Sequence, residues 1–258
     1  DYNTAIGNQA LSSATTTSNN TAVGYRAGLG LIKGAYSNTI VGYDAMLTAS
    51  GSSFGNVVIG AQAAYGAGDF DNTVAIGILA LNELRGTDGT GDYNIAIGGQ
   101  AGRQQSSGSA NVFIGYQSGY GAGARSNNTA VGHQSLKAIT TGANNVAVGS
   151  YSLDAVTTGY YNSAVGVSAG SAITTGIYNT LLGRAAGASI TTGNYITAIG
   201  GSTLNYLTVA TDSTVIGYDA GEYATGSYNT FVGSKAGQGG TTSAPYSSGT
   251  YNTAIGYR

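Results

Sequence analysis

The chain has 258 residues, among them 44 glycines, 20 tyrosines and no cysteine, and nine basic against eleven acidic residues leave a net charge of −2. Charged residues are 8% of the total, against about 25% in an ordinary globular domain. Scattered cations at that density exclude a nucleic-acid or anionic-membrane footprint, and the lack of cysteine excludes disulfides and thiolate metal sites.

The first element is Asn-Thr-Ala-Ile-Gly at residues 3–7, and it recurs with small changes along the whole chain. Aligned on the glycine, the fifteen copies end at Gly7, Gly24, Gly42, Gly60, Gly77, Gly98, Gly115, Gly132, Gly149, Gly166, Gly183, Gly200, Gly217, Gly233 and Gly256, with an unbroken 17-residue spacing from Gly98 to Gly217. A period this short marks a unit that cannot bury its own apolar face and must stack on its neighbours. The predicted fold is all-β, a parallel β-solenoid (β-roll) of about fifteen 17-residue coils.

Within each copy the residue before the glycine is Ile, Val or Leu, as in Ile6, Val23, Val148, Leu182 and Ile255. It is predicted to face the core together with the Thr, Val, Ile or Ser two places earlier, while the mostly small residue between them points away. Asn stands four residues before the glycine at Asn3, Asn20, Asn94, Asn128, Asn162 and Asn252 among others, where it suits a turn entering a strand, because its side chain bonds nearby backbone and it tolerates the left-handed region. Gly7, Gly24, Gly98, Gly132, Gly166 and Gly256 then permit positive φ as the chain leaves the strand. Between motifs, Ile139, Val156, Ile173 and Ile190 each precede Thr-Thr-Gly, which predicts a second strand and a turn in each repeat. No linker interrupts the pattern, so residues 1–258 read as a single repeat array that starts and stops inside the repeat, as a fragment of a longer fibre does; ends of that kind suit end-to-end stacking.

Two coils depart furthest from the period. The interval from Gly77 to Gly98 is 21 residues, and that from Gly233 to Gly256 is 23 and holds Pro245; extra residues in a solenoid emerge as loops. Around the first interval lie Asp69, Asp71, Glu83, Arg85, Asp88 and Asp92. Adjacent coils there would bring carboxylates within the reach that glycosidases use, and calcium would find oxygen ligands. A hydrated polar loop is the plainer reading, so these residues are taken as ligand-binding candidates and the chain as non-catalytic. His133 is the only histidine, which leaves no histidine cluster for a metal within one chain. No cofactor is expected, because no glycine-rich stretch carries the lysine or the strand-loop-helix setting of a phosphate-binding loop. No apolar run long enough to span a membrane is present in the sequence.

Tyrosine is the notable surplus. Tyr161, Tyr178 and Tyr195 share one repeat position, so stacked coils would align them in a ladder, either for ring stacking alone or as an amphipathic surface for a glycan or partner protein. Thr140, Thr157, Thr174 and Thr191 form a file of their own, the basis of an alternative in which the chain is an ice-binding solenoid or an extracellular scaffold or filament.

The Asn-Thr-Ala-Ile-Gly and Asn-Thr-Ala-Val-Gly motifs, with Tyr-Arg-Ala-Gly at 25–28, Tyr-Gln-Ser-Gly at 116–119 and Tyr-Asp-Ala-Gly at 218–221, resemble the head repeats of YadA-like trimeric autotransporter adhesins. They are still more similar to the related repeats of bacteriophage tail fibres and other surface fibre proteins. The resemblance spans essentially the whole chain, although its 17-residue period is longer than that of the usual adhesin head. It implies a parallel β-roll assembled as a homotrimer, extracellular on a bacterial cell surface or a virion fibre, that attaches to a cell-surface glycan or protein receptor. Trimerisation has support from composition as well. Much of the apolar content is alanine, with four phenylalanines and no tryptophan, so a core shared between subunits would help so narrow a coil.

Overall fold

The computed structural model describes residues 2–49, 52–66, 68–86, 90–239 and 249–257. Among them it has seventeen short strands and no helix. The chain divides into two compact units, Asp1–Asn128 and Thr129–Arg258, and each is a parallel β-solenoid.

The first unit contains β1 (Thr4–Ile6), β2 (Thr16–Ser18), β3 (Thr21–Val23), β4 (Lys33–Tyr36), β5 (Thr39–Val41), β6 (Val57–Ile59), β7 (Val74–Ile76), β8 (Ile95–Ile97) and β9 (Val112–Ile114). All except β2 and β4, which pair with each other, lie in one sheet in the order β1-β3-β5-β6-β7-β8-β9. The second unit contains β10 (Thr129–Val131), β11 (Val146–Val148), β12 (Ser163–Val165), β13 (Thr180–Leu182), β14 (Thr197–Ile199), β15 (Thr214–Ile216), β16 (Thr230–Val232) and β17 (Thr253–Ile255), each beside the next in chain order. Equal motif positions pair throughout, as in Ser163 with Thr180, Ala164 with Leu181 and Val165 with Leu182. The motif glycine ends each strand. Gly98 has φ 132° and a Cβ built on it would stand 2.7 Å from the carbonyl oxygen of Gly115 in the next coil, so no side chain fits.

The direction of the strand side chains is the reverse of the sequence expectation. The middle residue is the buried one: Ala22, Ile40, Val58, Ala75, Ala96 and Phe113 in the first unit and Ala130, Ala147, Ala164 and Ala198 in the second have no exposed surface. The Ile, Val or Leu before the glycine faces outward; Ile97 is 37% and Leu182 47% exposed. The interior takes this middle residue whether it is Ala or as large as Phe113, and the alternation of the strand then sends the β-branched pair out.

The second strand is also absent from the regular coils. Ile139, Val156, Ile173 and Ile190 are fully buried, yet they stand outside the strands. Before them the backbone alternates in hand: Gln134 has φ 53° and Leu136 φ 49°, Tyr151 φ 57° and Leu153 φ 48°. Successive N–H groups therefore point in opposite directions. Tyr151 donates back to His133 O at 2.9 Å, and Leu136 donates forward to Ser152 O at 3.0 Å. The amide of Val156 then turns onto Leu153 O of its own coil, at 3.2 Å. The arc satisfies its backbone on both sides without a second ladder.

The motif asparagines are likewise placed otherwise than expected. The left-handed residue is the one before each of them, for example Tyr161 at φ 57° and Tyr178 at φ 55°. The asparagine itself is inside. Asn162 Oδ1 accepts the N–H of Asn179 at 3.2 Å and its Nδ2 at 2.9 Å, and Asn162 Nδ2 donates to Gly176 O at 2.8 Å. These side chains bond neighbouring coils in a buried polar ladder that uses both ends of the amide, and Asn94, Asn111, Asn128 and Asn229 also donate to their own turns, at the carbonyls of Gly91, Ser109, Ser126 and Gly226. Thr73, Ser213 and Ile196 replace it in single coils.

Core volume is shared between strand and arc. Ala130, Ala147 and Ala198 accompany the buried Leu136, Leu153 and Leu204, whereas the larger Phe113, Leu181 and Phe231 accompany Gly119, Gly187 and Gly237. In these coils one wall or the other supplies the bulk, and where both are small, as at Ala164 and Gly170, Leu153 and Leu181 of the adjacent coils reach the glycine, as dense packing demands.

Candidate recognition surfaces

Tyr161, Tyr178 and Tyr195 are brought together as a ladder. Tyr161 and Tyr178 stack at 4.9 Å between centroids and 19°, Tyr178 and Tyr195 at 5.4 Å and 6°, and Tyr160 sets its edge against Tyr161 and Tyr178. All four rings are roughly half exposed. Crowding raises the phenol of Tyr178 above its ordinary range, first by desolvation and then through Tyr161, Tyr160 and Tyr195. Shorter stacks join Tyr25 to Tyr43, Tyr206 to Tyr223 and Tyr228 to Tyr251.

Two files of threonine run beside the ladder. Thr140, Thr157 and Thr174 each donate their hydroxyl to the carbonyl of the equivalent threonine in the next coil, at 3.0 to 3.2 Å. Those hydroxyls are thus spent on the coil stack. The neighbouring Thr141, Thr158, Thr175 and Thr192 are exposed and form a single outer file.

Three aspartates near the long coil accept hydrogen bonds from the coil before, two of them from backbone. Asp71 Oδ1 accepts the N–H of Phe54 at 2.9 Å, Asp92 Oδ1 accepts the N–H of Asp71 at 2.9 Å, and Asp69 Oδ1 accepts the hydroxyl of Ser53 at 3.1 Å. Glu83 is half-buried and Arg85 exposed; their N–H groups pair with Arg103 O and Ser106 O of the next coil. Asp88 and Pro245 lie outside the described residues. Among the described residues no group of three or more His, Cys, Asp or Glu is placed to hold a metal ion, and no helix is long and apolar enough to cross a membrane.

Three features were not anticipated from the sequence. The outward face of each sheet carries an aliphatic band. In the first unit it is two residues wide over Val57 and Ile59, Val74 and Ile76, Ile95 and Ile97, Val112 and Ile114. In the second unit the file Val148, Val165, Leu182, Ile199, Ile216 and Val232 runs beside Ser163, Thr180, Thr197, Thr214 and Thr230. The constancy of Ile, Val and Leu before the glycine was the available signal.

The second feature is a bidentate ion pair, Arg26 Nε to Asp44 Oδ1 at 2.8 Å and Nη2 to Oδ2 at 2.6 Å, with the guanidinium 5.0 Å from the Tyr25 ring centroid. The third is Arg125, which is buried and pairs with no carboxylate among the described residues. Its guanidinium lies 5.3 Å from the Phe113 centroid, donates to the carbonyls of Gly121 and Gly119, and is pushed toward its neutral form by burial. In its coil Phe113 fills the room left by Gly119, and Ala122 stands where regular repeats carry the buried Ile, which leaves apolar space for the arginine stem beside the Phe113 ring.

Comparison with family models, with curated proteins and with solved structures finds no match for this chain.

Proposed function

We propose that this chain is a structural and adhesive segment of an extracellular fibre, non-catalytic, and assembled as a homotrimer through the outward faces of its sheets. The observation that carries the reading is the aliphatic file before the motif glycines, exposed at Ile59, Ile97, Ile114, Val165 and Leu182. A contiguous apolar band on a solvent-facing sheet marks a surface that another surface covers. A second copy of the chain is the fitting partner, because its band has the same coil spacing. Each Ile, Val or Leu withdrawn from water contributes about 1.5 kcal/mol or more, and the repeats multiply that along the interface. The motifs shared with YadA-like adhesin heads and phage tail fibres support the trimer, the bacterial-surface or virion location, and attachment to a cell-surface glycan or protein receptor by many weak contacts.

The test is the molar mass in solution by light scattering. Three times 25.6 kDa is expected for the native chain, and the mass of one chain for Ile97→Lys combined with Leu182→Lys, whose outward positions leave the coil interior intact. A native chain that runs as a monomer overturns the trimer.

A further inference from the structure

The tyrosine ladder stands on an unfavourable backbone. The position before the buried asparagine is left-handed in every regular coil, with φ between 50° and 59° at Asn19, Asn72, Asn127, Asn144 and Asp212, and these are the residue types that conformation accepts. Yet Tyr93, Tyr161, Tyr178, Tyr195, Tyr228 and Tyr251 take the same place with φ from 55° to 58°, at a cost of about 1 kcal/mol each. Stacking returns about as much where rings are neighbours. It does not account for Tyr93, whose neighbours in the file are Asn72 and Ala110 and whose ring is 62% exposed. Ser37 and Ala110 take the same place at φ 58° and 57°, so the position does not require an aromatic, and burial does not explain Tyr93 either.

We propose that the ridge of Tyr161, Tyr178 and Tyr195 with Thr158, Thr175 and Thr192 binds a neutral, extended, β-linked polysaccharide laid along the direction in which the coils stack. Three observations select that ligand. First, residues 157–161, 174–178 and 191–195 contain no charged side chain, which disfavours an ionic partner. Second, the ridge offers one phenol and one exposed threonine per coil, with rings 4.9 and 5.4 Å apart, so it suits a ligand whose own units repeat at that distance in one direction, as pyranoses in an extended chain do. Third, parallel rings at those separations exceed the van der Waals gap of about 3.5 to 4 Å, so their planes tilt against the stacking direction. Each then leaves a strip of face for the C–H side of a sugar, while the threonine hydroxyl beside it meets the sugar hydroxyls. This inference names the ligand class of the adhesive reading and rests on it only for where such a glycan is met; the ridge is complete within one chain.

Calorimetric titration with the dimer, tetramer and hexamer of cello-, chito- and xylo-oligosaccharides tests it. The expected result is affinity for at least one series that rises with chain length as successive sugars reach successive coils. Tyr178→Asn places a residue suited to the left-handed backbone, which offsets part of the lost stacking, so the chain still folds with only a small drop in melting temperature while hexamer affinity falls by about tenfold, equivalent to ~1.4 kcal/mol. Absence of binding to all three series overturns the proposal, as does equal affinity for dimer and hexamer, or unchanged binding by the variant. Loss of self-association in Tyr178→Asn without any oligosaccharide binding assigns the ridge to a second copy instead. A trimer that binds no oligosaccharide sinks this inference and leaves the fibre reading standing, whereas a monomer that binds does the reverse.

Discussion

Leu181 occupies the room left by two glycines: a Cβ on Gly170 would meet its Cδ1 at 2.6 Å, and one on Gly187 its Cδ2 at 3.0 Å. Regular coils divide the same space the other way, with Ala198 on the strand and Leu204 on the arc. Leu181→Ala alone is expected to cost about 3 kcal/mol. Adding Gly187→Leu recreates the alanine–leucine arrangement, and Leu is carried at the equivalent left-handed site by Leu204 at φ 51°. Chemical denaturation should therefore show the double variant more stable than Leu181→Ala, with clear non-additivity between contacting sites.

The asparagine ladder makes a sharper demand. Asn162→Ala removes the acceptor for the N–H and Nδ2 of Asn179 and the donor to Gly176 O, leaving buried polar groups unpaired at about 1 to 3 kcal/mol. The same change at Asn252, which is exposed, is expected to cost well under half as much in urea unfolding.

Arg125 fills a hole at the expense of a buried charge. Replacing such a charge by an apolar side chain of like volume is often neutral or stabilising. Arg125→Met is therefore expected to keep or raise the melting temperature, and Arg125→Ala, which leaves the hole beside Phe113, to lower stability by about 2 to 4 kcal/mol. Differential scanning calorimetry of the pair decides between plug and ion.

Alkaline pH should loosen the ladder. The folded Tyr178 phenol lies above its ordinary value of 10.0, so the folded state holds that proton more tightly than the unfolded chain. Its contribution is fully present below pH 10 and is lost as pH rises through the higher folded value. The melting temperature should fall above pH 10 in the native protein, and by less in Tyr178→Asn. Equal losses in both would place the alkaline instability elsewhere.

The repeat and its strands were legible because period and alternation are direct images of coil length and pleat: Ser163-Ala164-Val165 announces a strand ended by Gly166. Which side of it faces in was not, since Val165 is larger than Ala164 and size alone argues inward. The choice depends on the width of the coil and on what covers the outer sheet, and neither is written in one repeat. The arc misled for a related reason. Ile139-Thr140-Thr141 has strand-like composition, and nothing in Gln134 or Leu136 declares a left-handed backbone. The ladder Tyr161, Tyr178 and Tyr195 was legible from register alone. The aspartates were not: Asp71 and Asp92 are alike in composition to a reactive pair, and only hydrogen bonds to Phe54 and Asp71 identify them as backbone caps.

The like-with-like register, in which Thr180 sits against Thr197 and Leu182 against Ile199, makes length a free variable. Excising residues 167–183 would carry Val165 to the partner that Leu182 had, with every hydrogen bond and both faces preserved, and tandem duplication of the same stretch would do so in reverse. Removing one residue fewer would turn the strand over, burying Thr197 and Ile199 and sending Ala198 out. Such a chain can be lengthened or shortened by whole coils, as a ruler is by its divisions, and by nothing smaller.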